Sequence, residues 1–219
     1  MQLSAPADQL TLLYADDALL VLDKPAGLLS VPGRGPDKQD CLSRRAQALY
    51  PDAQIVHRLD MATSGLMVMA RGAAAQRKLN QAFAERRVRK RYVAVADGRA
   101  QASADDWAVI SLPIGLDWPN RPLRVIDAEN GKPSETRWRL LSHNETAGTS
   151  RLELEPVTGR SHQLRVHLQA VGHAILGDAL YGSPRTQAMA SRLLLHASSI
   201  EFRHPVSDET MRFACSAAF

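Results

Sequence analysis

The chain has 219 residues, 45% hydrophobic and 23% charged, with a formal net charge of +4. This composition supports a buried core of the chain's own and excludes a largely disordered polypeptide. Two isolated cysteines, Cys41 and Cys215, exclude a disulfide framework or a zinc ribbon, and the mild positive charge permits a nucleic-acid partner without demanding one. The opening MQLSAPADQL lacks a basic segment followed by an apolar run. No apolar stretch reaches the roughly 18–20 residues that span a bilayer, so the reading is a cytoplasmic protein with no membrane attachment and reduced thiols.

Along the chain, Leu19–Leu22 is a short apolar run stopped by Lys24-Pro25-Ala26-Gly27, which predicts strand, turn, strand. Pro32, Gly33, Gly35 and Pro36 mark an exposed loop. Residues 40–50 suit a helix with Asp40 as N-cap, stopped by Pro51. Ile55-Val56 and Leu66–Ala70 read as two strands flanking the polar segment HRLDMATSG. The clearest helix is 73–87, where Ala75, Leu79, Ala82 and Phe83 make one apolar face. A strand then begins at Tyr92. After a Gly/Ala/Ser/Asp-rich stretch at 97–106, RWRLLS and SRLELEPV alternate around a hairpin at 143–149. Ser161 caps a helix closed by Gly172, and 198–213 are final strands. Strands and helices without strict βαβ alternation predict an α+β fold.

Residues 71–91 hold eight basic side chains (Arg71, Arg77, Lys78, Arg86, Arg87, Arg89, Lys90, Arg91) against one acidic, Glu85, so the rest of the chain is net acidic. Basic residues clustered against such a background favour a phosphate-backbone site; the plainer alternative is a solvated face. Tyr92, at the end of the run, is placed either to stack on a base or to pack in the core. Asp60 is the carboxylate that stands out. His57 and Arg58 precede it, and Gly65 allows a tight turn after it. A carboxylate held near guanidinium groups stays ionised, as a carboxylate nucleophile must; the alternative is an Asp capping its own loop. In GRSHQLRVH, His162 and Arg165 share a helix face. A metal site from His162, His167 and His173 is disfavoured, since His162 and His167 point about 140° apart on one helix. GRGPDK (33–38) lacks the third glycine of a dinucleotide loop, Gly131-Lys132 is followed by Pro133 rather than Ser or Thr, and Thr63-Ser64-Gly65 is no nucleophile elbow.

These residues name a possible active aspartate, an arginine partner and a basic surface, but no reaction. HRLDMATSGL (57–66) resembles the signature of the RluA-type pseudouridine synthases. KPAG (24–27), the tyrosine of KRYVAV (90–95), GRSHQLRVH (159–167) and RLLLHA (192–197) resemble the family's other motifs, in the family's order. SVPGR (30–34), DWPNRP (117–122) and GKP (131–133) extend the resemblance over nearly the whole chain.

The resemblance implies a pseudouridine synthase fold: a long, mostly antiparallel sheet with flanking helices and a central RNA cleft, in one catalytic domain of two intimate halves. With KPAG already at 24, no room is left for the N-terminal RNA-binding appendage of many relatives. It also implies roles: Asp60 as the catalytic nucleophile or acid–base group, Tyr92 stacking on the target base, and Arg165 pairing with Asp60. Arg58 would enter the space of a flipped base, and His57, Leu164, Arg86, Arg87 and Arg89 would contact substrate. The expected substrates are uridines in stem-loops of 23S rRNA and tRNA anticodon arms. The reaction is an isomerisation needing no cofactor or metal, by a protein expected to be a monomer. The competing class is an RNA-binding or chaperone protein on the same fold that has lost catalysis.

Overall fold

The computed structural model describes residues 10–101 and 106–219, and these form two compact units. The opening nonapeptide and residues 102–105 of the Gly/Ala/Ser/Asp-rich stretch lie outside the described residues. The first unit takes the chain up to Arg89 together with Ala197–Ala217; the second takes Lys90–His196 with Ala218–Phe219. Strands and helices are mixed without βαβ alternation, so the fold is α+β, as predicted.

In the first unit, β1 (Thr11–Ala15) runs antiparallel to β2 (Leu19–Lys24), and β2 runs antiparallel to β4 (Ser64–Arg71). Asp16 makes the first turn: its Oδ1 accepts from the Ala18 and Leu19 amides at 2.7 and 2.8 Å. β3 (Ala53–Ile55) adds antiparallel to β4. β2 and β4 read as near-continuous apolar runs because both faces of this sheet are covered. Leu19, Val21, Leu66, Val68 and Ala70 join a core with Ala75, Leu79 and Ala82 of α2 (Gly72–Ala84). Leu20, Leu22, Met67 and Met69 point the other way, to Leu42 and Ala46 of α1 (Leu42–Leu49). β11 (Leu195–Arg203) lies beside β4, and β12 (Thr210–Ala214) pairs antiparallel with β11.

In the second unit, β5 (Arg89–Asp97, in this unit from Lys90), β10 (Thr149–Pro156), β9 (Glu135–Asn144) and β6 (Ala108–Ser111) pair in that order, with antiparallel registers. β10 alternates cleanly: Leu152 and Leu154 are fully buried, while Arg151, Glu153 and Glu155 take the other face. Glu153 meets Arg139 directly across the pair at 2.7 Å. A separate ribbon joins β7 (Ile114–Leu116) to β8 (Arg124–Ile126). α3 (Gln163–Ala170) contacts β8, β9 and β10, and α4 (Pro184–Ala188) follows. No helix among the described residues is long and apolar enough to cross a membrane.

Four local expectations need correcting. Asp40 does not cap α1: the N-cap is Cys41, and Asp40 instead takes Arg45 in a two-point pair at 2.8 and 2.6 Å. No strand follows KPAG; Leu29 makes a single parallel bridge to Cys41, and Pro36–Lys38 form a short 3-10 turn. α2 stops at Ala84 because Arg86 adopts φ 58°, and the next strand starts at Arg89 rather than Tyr92. α3 begins at Gln163 with His162, φ 58°, as its N-cap, so Ser161 lies before the helix; Gly172, φ 84°, follows as predicted.

Candidate active site

Asp60 sits half-buried in the loop between β3 and β4. Three devices hold that loop. Thr63 N–H donates to the Asp60 carbonyl at 3.1 Å, closing a turn at the aspartate itself. The Ser30 hydroxyl donates to the Leu59 carbonyl at 2.7 Å and accepts from the Leu59 amide at 3.1 Å, satisfying both backbone groups of one residue. The third device is Lys24, which is fully buried. Its ammonium donates to the carbonyls of Pro25, Leu28 and Met61 at 2.9, 2.8 and 3.1 Å, using all three donors. Burial pushes the Lys24 pKa down to about 8, against the opposite pull of the Asp60 and Asp23 carboxylates.

His57, on the same loop, accepts the Val68 amide proton through Nε2 at 2.9 Å and stacks on Phe83 with ring centroids 4.6 Å apart. The imidazole therefore fastens the loop to β4 and α2, with its proton on Nδ1. Arg58 is exposed. Gly65 has another use than the turn expected of it. It lies inside β4 at φ 109°, where a Cβ would collide with the Ala197 backbone, so glycine permits the close approach of β11.

In the second unit, Arg165 on α3 is 4% exposed and its partner Asp178 is 1% exposed. The guanidinium donates from Nε and Nη2 to the two carboxylate oxygens at 2.8 and 2.6 Å, a fork that fixes its direction. Asp178 Oδ1 also accepts from the Leu180 and Tyr181 amides at 3.0 and 3.2 Å. The Tyr181 ring lies 5.0 Å from the Arg165 guanidinium carbon, and its hydroxyl is 2.7 Å from His162 Nδ1. The shared face expected for His162 and Arg165 is thus organised around Tyr181. Gln163 ties the start of α3 to β9 through the Glu135 carbonyl at 2.8 Å and Thr136 Oγ1 at 3.0 Å. His167 spends both ring nitrogens, on Thr136 Oγ1 and the Leu112 carbonyl, each at 2.9 Å. Burial pushes its pKa down, against the Leu112 carbonyl. Leu164 is buried on α3, and Tyr92 is buried on β5 opposite Leu154.

The basic run separates into two kinds of residue. Arg71 is committed to its own unit, 3.2 Å from Asp52 and 5.3 Å over Tyr50. Arg91 pairs with Glu155 and lies 4.2 Å over the Trp107 ring. Lys90 is half-buried, and burial lowers its pKa. Arg86, Arg87 and Arg89 are exposed; Arg87 meets Glu85 at 2.6 Å and Arg89 meets Glu201 at 3.9 Å. Their guanidinium groups remain accessible to a polyanion.

The structure places His57, Arg58 and Asp60 on one loop, Arg86, Arg87 and Arg89 at the end of α2 and the start of β5, Leu164 and Arg165 on α3, and Tyr92 on β5. Sequence reasoning missed Lys24, Ser30, Asp178 and Tyr181 as supports. Lys24 was read as the stop of an apolar run and the start of the KPAG motif, with no role of its own, and GDALYG, which carries Asp178 and Tyr181, was not singled out.

Residues 18–170 match the family model described as RNA pseudouridylate synthase. The chain is 47% identical over 207 residues to the dual-specificity RNA pseudouridine synthase RluA of Yersinia pestis, covering 94% of this chain and 98% of that protein. It is likewise 47% identical over 210 residues to the protein of the same name from Escherichia coli K12, covering 96% and 94%. Among solved structures, human RNA pseudouridylate synthase domain containing 1 matches with a TM-score of 0.80 at 31% identity, covering 98% of this chain and 86% of that one.

Proposed function

The chain belongs to the RNA pseudouridylate synthase family, and from that premise we propose that Asp60, Tyr92 and Arg165 carry its conversion of uridine to pseudouridine. The observation that carries the assignment is the triple clamp on the Asp60 loop, with a buried lysine ammonium at its base. A group that acts on a covalent bond needs a fixed aim.

The reaction breaks the glycosidic bond between C1′ of the ribose and N1 of uracil, turns the base, and joins C1′ to C5. The proton leaves C5 and N1 ends protonated, so atoms and electrons balance within the nucleoside. Asp60 is the nucleophile or acid–base group. Arg165 serves the reaction through its positive charge; what supports this role is the rigid fork to Asp178, which leaves the guanidinium little freedom. Tyr92 presents its ring to the base. Arg58, exposed on the Asp60 loop, fills the space of a flipped base, and His57 and Leu164 shape the site. Arg86, Arg87 and Arg89 take phosphates. The substrates are uridines in stem-loops of 23S rRNA and tRNA anticodon arms, met by a cytoplasmic monomer.

The test is single-turnover conversion of a stem-loop RNA by Asp60→Asn, with binding measured in parallel. Asn is nearly isosteric, so the loop keeps its hydrogen bonds and RNA affinity stays close to that of the unsubstituted chain. The rate falls by at least about 10³-fold, because a group acting on the covalent bond is removed. Turnover near the wild-type rate would transfer the chemistry to another residue.

A further inference from the structure

The DWPNRP segment has no part in the assignment above, yet it has an unusual surface. It forms the tip of the β7–β8 ribbon, and Trp118 at that tip is 64% exposed. Among the described residues the other two tryptophans are occupied. Trp138 is 8% exposed, and Trp107 has Arg91 and Arg139 over its ring at 4.2 and 4.8 Å. A single exposed apolar side chain would need no explanation. Trp118 is not single: the Arg121 guanidinium lies 3.7 Å from the indole centroid, so two flat groups are stacked in the open.

The tip that carries them is held in shape. Asp117 accepts from the Asn120 amide at 3.2 Å and from its side-chain Nδ2 at 3.0 Å. Asp117 N–H donates to the Leu123 carbonyl at 3.1 Å, and Leu123 N–H donates to the Asn120 carbonyl at 3.0 Å. At the base of the ribbon, Arg124 N–H donates to the Tyr181 hydroxyl at 2.9 Å. This is the same hydroxyl that meets His162, on the same ring that lies against Arg165. The tip is therefore registered to the Arg165 site within its own unit.

We infer that Trp118 and Arg121 form a stacking platform for an unpaired base of the RNA substrate, outside the site that takes the target uridine. The inference rests on the RNA-modifying activity proposed above. An indole accepts any base on its π face, and a guanidinium stacked beside it adds positive charge for the neighbouring phosphate. A preformed platform loses little entropy on binding. A base within a duplex is already stacked on both sides, so the platform selects loops over paired stems. It is also held in register with Arg165 of the same unit.

The test compares the full chain with Trp118→Ala and Trp118→Phe. Dissociation constants are measured for a hairpin RNA with an unpaired loop and for a fully paired duplex of equal length. Trp118→Ala weakens loop binding about tenfold and leaves duplex binding unchanged, and Trp118→Phe recovers most of the loss. Tryptophan emission of the wild-type chain falls when the hairpin is added, and Trp118→Phe removes that response while both variants keep the wild-type circular dichroism. Equal loop affinity of wild type and Trp118→Ala, or an equal loss on the duplex, overturns the platform. Pseudouridine formation by the wild-type chain is assayed on the same hairpin. No conversion together with Trp118-dependent loop binding would sink the catalytic reading while the platform stands.

Discussion

Lys24 is the residue whose role depends most on the tertiary structure. In the sequence it ends an apolar run and opens the KPAG motif, with no role of its own, whereas Asp60 stands out by its neighbours alone. The difference is distance along the chain: one acceptor of the Lys24 ammonium, the Met61 carbonyl, lies 37 positions away. Asp178 escaped notice for the same reason, since nothing near it in sequence announces an arginine to be paired. Lys24→Met keeps the volume and removes the donors. The Met61 carbonyl still accepts from the Gly27 amide at 2.8 Å, so the Pro25 and Leu28 carbonyls bear most of the loss. The expected cost is about 2–4 kcal/mol of stability, with a drop in turnover as the Asp60 loop loosens. The cost depends on pH in a definite direction. Free lysine holds its proton to about pH 10.4, while folded Lys24 releases it near 8. Between these values the unfolded chain binds more protons, so wild-type stability from this group rises with pH, by up to about 1.4 kcal/mol per unit. The deficit of Lys24→Met therefore widens from pH 8 to 10. Urea unfolding of both proteins across that range checks it, and a deficit that stays flat or narrows would mean the folded ammonium keeps its proton.

At the scale of elements, periodicity was legible and termini were not. The Ala75, Leu79, Ala82 spacing placed α2 on the core correctly, because burial of one helix face leaves a 3.6-residue imprint. Its end was set instead by a left-handed Arg86, a conformation that arginine does not advertise. Both N-cap assignments failed because the chosen side chain competes elsewhere or lies one residue early: Asp40 prefers Arg45, and α3 starts after His162. The basic run shows why a charge count overstates a binding surface. Arg71 and Arg91 are held by carboxylates and aromatic rings of their own units, whereas Arg77 and Lys78 on α2 and the three arginines after it, Arg86, Arg87 and Arg89, are exposed. Replacing those three with Gln should flatten the slope of log affinity against log salt by about 2, at roughly 0.7 per phosphate contact for single strands. Binding should weaken to a similar extent across RNA sequences. Titrations at several salt concentrations measure the slope, and an unchanged slope would reduce the run to a solvated face.

At the scale of the whole molecule, the α+β class was readable because strands and helices follow one another without strict βαβ alternation, and the strands show two patterns, β2 and β4 apolar on both faces and β10 alternating. The pairing order was not readable. β5 pairs with β10 across more than fifty residues, and no local signal records a partner chosen by long-range packing. Resemblance filled that gap, since ordered motifs carry a topology that periodicity cannot. It also bears on substrate choice. An enzyme that takes its target from an unpaired loop spends less on extruding the base than one that opens a stem. An enzyme that recognises the loop itself then accepts whichever RNAs present it, whatever molecule the loop belongs to. The expected outcome is that one loop, common to a tRNA anticodon arm and a large-subunit rRNA helix, is modified in both. Pseudouridine mapping of RNA from cells with and without this protein reads this directly. The mark should vanish from both RNA classes together, and exchanging the shared loop nucleotides in isolated hairpins should slow conversion of both in parallel. Loss of the mark from a single class would end the dual-substrate reading and leave the isomerase activity in place.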